Sequence, residues 1–166
     1  MQHMAAKKKK VSPIPKRLHT VTPEIFVRNA TQAIEFYKKA FGAKENYRMY
    51  RPDGKTIGHA EIKIGDSMIM LADEMPPARM LSPQSVGGTP FQLYMYVKDV
   101  DKVFSQAVKA GAAVTMPVMD TFYGDRTGQL MDPFGHLWGL ATHMRDIPPK
   151  DMKKAAQDWY AQMSNQ

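Results

Sequence analysis

The sequence predicts an α+β fold in which two related modules share one core and a C-terminal helix follows them. Three observations predict it. A strand-like run leading into a capped amphipathic helix that stops at a glycine occurs twice, in IFVRNATQAIEFYKKAFGA and in LYMYVKDVDKVFSQAVKAGAA. Each copy is followed by further extended segments. Neither half of the 166 residues is long enough to bury much surface alone, so the halves must pack round a common core.

The first module opens with a strand over Val21 to Val27. A helix from Ala30 to Phe41 comes next, because Ala33, Phe36, Tyr37, Ala40 and Phe41 share one face. Asn29 and Gln32 have capping-box spacing at its start, and Gly42 supplies the left-handed stop. An extended segment over Lys44 to Arg51 then meets a turn at Pro52, Asp53 and Gly54. A hairpin from Ile57 to Leu71 turns at Gly65 and Asp66. The segment from Ala78 to Thr89, with Pro83, Gly87 and Gly88, reads as the junction between modules.

In the second module Phe91, Leu93, Met95 and Val97 alternate with Gln92, Tyr94 and Tyr96, the period of a strand with two unequal faces. Asp99 precedes a helix whose buried stripe is Val100, Val103, Phe104, Ala107 and Val108, and Gly111 lies near its end. Extended segments over Ala113 to Pro117, Arg126 to Met131 and His136 to Thr142 complete the set. After the linker Ile147, Pro148 and Pro149, Asp151 is the expected cap of a last helix. Met152, Ala155, Ala156, Trp159, Tyr160 and Met163 form its apolar stripe, packed on the sheets or on another subunit.

A 43% apolar composition supports a real core, and the absence of cysteine excludes disulfides, a thiol nucleophile and thiolate metal ligands within the chain. The net charge of +7 first suggests nucleic acid. Lys7, Lys8, Lys9, Lys10, Lys16 and Arg17 all precede the first acidic residue, Glu24, which leaves the remainder at +1. The charge therefore belongs to a terminal extension, and no nucleic-acid partner is expected. No apolar run approaches the roughly 20 residues of a spanning helix, and the chain starts without a signal-peptide core. A cytoplasmic protein without a membrane partner is expected.

His59 and Glu61, two residues apart on a strand, project to one face and can bind a metal or form an acid-base pair. The plainer reading is a hydrogen-bonded structural pair. Gln92 can coordinate weakly through its amide oxygen, orient a polar substrate or simply bond across strands. His136 and His143, seven apart, fall on opposite faces of a continuous strand and do not make a compact metal pair. Tyr123 and Arg126 flank the Gly124-Asp125 turn, where they can hold an anionic or planar ligand or support the loop. Tyr94, Tyr96 and Trp138 can present aromatic surfaces to an organic ligand, with core packing as the competing role.

Over about Thr20 to His143, the strings NATQAIEFYKKAFGA, GHAEIKIGDSMIMLAD and YGDRTGQLMDPFGHLWGLATH resemble the vicinal oxygen chelate superfamily of glyoxalases, bleomycin-resistance proteins and extradiol dioxygenases. More narrowly they resemble its PhnB-like group. The resemblance implies paired β-α-β-β-β modules whose curved mixed sheets form a cleft, commonly in a homodimer. On that reading residues 1–19 are a basic extension and residues 20–143 one glyoxalase-like domain, with modules at about 20–75 and 89–143. Residues 144–166 are then a linker and helix.

The family's metal enzymes imply one ligand on the first strand of each module and a carboxylate on the last. The VRN and VKD turns bring Thr22 and Gln92 to the first-strand positions, with Glu24 two residues from Thr22. Glu61 is the best match to one carboxylate, and Gly139 falls at the other. Thr22 is a poor ligand and Gly139 has no side chain to offer, so Glu61 and Gln92 alone form an incomplete set for a divalent metal, which His59, Glu24, water or a neighbouring subunit could alter. Because family members include binding proteins as well as enzymes, the leading expectation is binding or sequestration of a small organic molecule. The alternative is a divalent-metal-dependent isomerase, lyase or oxygenase. A third reading gives Trp159 and Tyr160 dimer-packing roles and leaves the cleft without a function.

Overall fold

The computed structural model describes residues 11–163, so residues 1–10 of the basic extension lie outside the described residues, as does the side chain of Met163. Strand β1 (Glu24–Val27) leads into helix α1 (Ala30–Phe41), then β2 (Lys44–Tyr50), β3 (Ile57–Ile64) and β4 (Ser67–Asp73). The expected strand from Val21 starts three residues late, with Pro23 immediately before it, and Thr22 falls outside it. Asn29 accepts a hydrogen bond from the Gln32 amide at 3.0 Å, and Gly42 closes α1 at φ 67°. The strand order is β1-β4-β3-β2, with β1 parallel to β4 and the other pairs antiparallel.

The junction holds a 3-10 turn (Pro76–Ala78) and a one-turn helix, α2 (Pro83–Val86). The second module repeats the plan with β5 (Gln92–Tyr96), α3 (Val100–Ala110), β6 (Ala113–Asp120), β7 (Asp125–Met131) and β8 (Leu137–His143). Its order, β5-β8-β7-β6 with β5 parallel to β8, reproduces the first sheet. The chain is thus an α+β fold of two βαβββ modules with a C-terminal helix, α4 (Pro149–Met163). No helix among the described residues is long and apolar enough to cross a membrane.

Three local expectations change. Val108 is 38% exposed rather than buried: at about 100° per residue it sits at the margin of the α3 stripe, beyond Phe104. Phe91 is exposed because β5 begins one residue later. Asp151 lies inside the first turn of α4 instead of capping it, since the helix starts at Pro149, where a missing N–H costs nothing.

The two helices pack on each other, and the Gln106 amide of α3 donates to the Lys39 and Ala40 carbonyls of α1, both at 2.9 Å. Those carbonyls lie in the last turn, where intrahelical donors run out. Tyr37, Ile34, Leu71, Leu130, Trp138 and Leu140 belong to one core that spans both modules. At its centre, buried Asp132 accepts from the Tyr37 hydroxyl at 2.7 Å and from Trp138 Nε1 at 2.9 Å. The Phe134 and His136 amides also donate to it, each at 2.9 Å. Burial, with Asp132 alongside, pushes the Tyr37 phenol well above its ordinary pKa.

Candidate functional site

A cavity of about 770 Å³ lies between the modules. β5 supplies one wall through Leu93, Tyr94, Met95 and Tyr96, because it is an edge strand with no neighbour on its outer side within the sheet. Phe41 at the end of α1, the turn joining β3 to β4, and Val103 of α3 supply others. His19, Val21 and Pro23, on the segment leading into β1, complete the lining. The volume suits a drug-sized organic molecule, and the walls offer more apolar than polar surface.

Of the expected ligand-binding residues, Tyr94, Tyr96 and Trp138 line this cavity. Trp138 is 2% exposed and is also part of the core, its indole N–H held by Asp132. The rings of Tyr94 and Tyr96 lie 5.5 Å apart on exposed positions of β5. Tyr123 and Arg126 are not among the lining residues. Arg126 is instead held by Asp101, at 2.7 and 2.8 Å, and by Asp120 at 3.0 Å. Burial raises the Tyr123 phenol pKa.

The structure also assembles a polar network that residue spacing alone does not show. Tyr94 and Thr127 hydroxyls are 3.1 Å apart, and the Tyr96 hydroxyl donates to Asp125 Oδ2 at 2.7 Å. The other oxygen of Asp125 lies 2.7 Å from His143 Nδ1, and His143 Nε2 lies 3.0 Å from Asp146. Asp125 is only 4% exposed. Its hydrogen bond pushes the Tyr96 phenol up to about 12 and, with Asp146, raises the His143 pKa. The antiparallel register that sets Asp125 opposite His143 was the available signal: a hairpin turning at Pro133 to Gly135 pairs these two positions. His136, by contrast, precedes β8 in the turn and is buried, with Nε2 3.1 Å from the Phe26 carbonyl.

The expected metal-site residues are distributed differently. Glu61 lies on β3, the third strand of its module, and not on the last. Register makes this explicit: Met70 of β4 pairs with both Glu24 and Glu61, as Gly139 of β8 pairs with both Tyr94 and Gln129. The last-strand counterpart of Gly139 is therefore Met70, and the counterpart of Glu61 is Gln129. His59 Nε2 is 3.6 Å from Glu61 Oε1. Both Glu61 oxygens are already engaged by Arg17, through Nε at 2.6 Å and Nη2 at 2.9 Å, which holds the carboxyl below its usual pKa.

Thr22 donates its hydroxyl to the His19 carbonyl at 3.1 Å. A Cβ added at Gly139 would collide with the Gln92 amide nitrogen and the Tyr94 ring, so these two side chains fill the space an acidic residue there would need. Thr22, Met70, Gln92 and Gly139 together supply one amide as a competent donor, which does not fit a divalent metal. Among the described residues no group of three or more His, Asp or Glu side chains is placed to hold one.

Paired βαβββ modules enclosing a cavity between them define a class of cleft proteins. Residues 17–140 match the Glyoxalase/Bleomycin resistance protein/Dioxygenase superfamily, and the chain belongs to that family. An uncharacterized protein of Mycobacterium tuberculosis strain H37Rv is 40% identical over 138 residues, covering 81% of each chain. The crystal structure of TioX from Micromonospora sp. ML1 is similar at TM-score 0.60 and 27% identity, over 74% of this chain and 97% of that one. A PhnB protein from Bacillus cereus shares the fold at TM-score 0.59 and 19% identity, over 75% of this chain and 99% of its own.

Proposed function

We propose that the protein binds a small, mainly apolar organic molecule with a planar ring system in the cavity between its modules, and that it does so without a resident divalent metal. The cavity carries the reading: its walls combine Tyr94, Tyr96, Phe41 and Trp138 with aliphatic and thioether side chains. Rings bound there would gain contact area without requiring a nucleophile. The choice of binding over metal chemistry is supported by the filled space at Gly139 and by Arg17 on Glu61. Sequestration is the role that needs nothing more than such a cavity, within a family whose name spans both enzymes and a resistance protein. The same reading takes the protein as a homodimer.

Titration with 1-anilinonaphthalene-8-sulfonate tests it. Met95→Trp and Val103→Trp each fill the cavity from a different element and are expected to weaken dye binding at least tenfold in folded protein. Unchanged affinity in both variants would reject the cavity as the binding site.

A further inference from the structure

Ahead of β1 the chain runs as a strap over residues 11–23, which lines part of the cavity through His19, Val21 and Pro23. The root of the strap is fixed where the Met70 amide donates to the Pro23 carbonyl at 2.9 Å. Its outer part is stiffened by Pro13, Pro15 and a turn in which the Leu18 amide donates to the Pro15 carbonyl at 2.9 Å. Burial does little to hold it, since Val11 is 86% and Val21 83% exposed. Among the described residues, the hydrogen bonds that join residues 11–22 to the rest of the chain are the two from Arg17 to Glu61.

That single attachment is well made. Arg17 Nε and Nη2 lie 2.6 and 2.9 Å from the two oxygens of Glu61, the forked geometry that a guanidinium makes with a carboxylate. The pair's hydrogen bonds lower the Glu61 pKa and raise that of Arg17, so both partners are charged at neutral pH. Glu61 is anchored in the body of the fold by β3, whereas the Arg17 side chain is 58% exposed. A stiff segment with one fixed root and one distant attachment has two positions, pinned and swung out.

We propose that residues 11–23 are a gate on the cavity, latched by Arg17 on Glu61, and that a ligand enters and leaves when the latch opens. The gate presupposes that the cavity is the binding site, and it sets how fast that site exchanges its contents. With the latch closed, His19 and Val21 stand along the cavity; with it open they swing away about Pro23, while β5, α1 and α3 keep the other walls in place. Because the cation of the latch is exposed, added salt weakens the pair and speeds exchange.

Stopped-flow exchange of 1-anilinonaphthalene-8-sulfonate on the full chain tests the gate. Arg17→Ala is expected to release the dye at least tenfold faster than the unsubstituted protein. The chain has no cysteine, so Arg17→Cys with Glu61→Cys carries only the two thiols of the latch, which 1,2-bis(maleimido)ethane can bridge within one chain. The bridged protein is expected to exchange dye at least tenfold more slowly than the same protein unbridged. Glu61→Ala leaves the strap's sequence intact and is expected to raise tryptic cleavage after Lys16 and Arg17 at least fivefold, and thermal midpoints establish that each variant is folded. Unchanged cleavage, or rates indifferent to both the substitution and the bridge, would overturn the gate. Where Met95→Trp still abolishes dye binding, such rates overturn the gate alone; dye binding that survives Met95→Trp would overturn the cavity reading and the gate together.

Discussion

The Tyr37 hydroxyl donates to Asp132 at 2.7 Å, joining the helix of the first module to the β7–β8 turn of the second. Asp132 keeps three other donors when that hydroxyl is removed. Tyr37→Phe is therefore expected to cost about 1.5–3 kcal/mol, the range for a hydrogen bond to a charged group. Asp132→Ala leaves the Tyr37 hydroxyl and Trp138 indole unsatisfied and is expected to cost about 3–5 kcal/mol. Urea unfolding of the two variants checks the order.

Gly139 is a steric requirement of the second sheet. Gly139→Ala is expected to destabilise by about 1–3 kcal/mol through overpacking against Gln92 and Tyr94. The cost should fall when Tyr94→Ala is added, because the ring is one of the two obstructions. A double-mutant cycle by urea unfolding measures that coupling.

His143 gains charge stabilisation first from Asp125 and then from Asp146, so its folded pKa lies above the ordinary value of 6.5. For a raised histidine, the stabilisation is full below about pH 6.5 and is lost as pH rises through the folded pKa. NMR titration of the imidazole is expected to place the midpoint above 6.5 and to move it down in Asp125→Asn. A midpoint unmoved by that substitution would contradict the pairing.

The homodimer reading predicts a particle of twice the 18.8 kDa chain mass by size-exclusion chromatography with light scattering. A chain that remains monomeric at high concentration would reject the dimer.

Helix boundaries and the repeat were readable because their determinants are local. Asn29, Gly42, Asp99 and Gly111 mark helix ends within a few residues of the groups they satisfy. Alternation puts Tyr94 and Tyr96 on one face of β5, whereas Trp138, opposite Leu93, lies on the other face of the sheet. What stayed hidden depends on distant partners. Nothing near Arg17 announces Glu61, and Asp132 reads as a turn former until Tyr37 arrives from the other module. Arg126 has the chemistry of an anion binder, but Asp101 and Asp120 hold it. Glu61 lies on the first arm of the hairpin that turns at Gly65 and Asp66, and register pairs it with Met70 on the last strand.

The central claim is that the cavity binds its ligand without a metal. Its most direct test is titration of 1-anilinonaphthalene-8-sulfonate into chelator-treated protein, repeated after adding back magnesium, nickel or zinc. The account predicts the same affinity in every arm and its loss in Met95→Trp. Binding that vanishes on chelation and returns with one of the metals would contradict it.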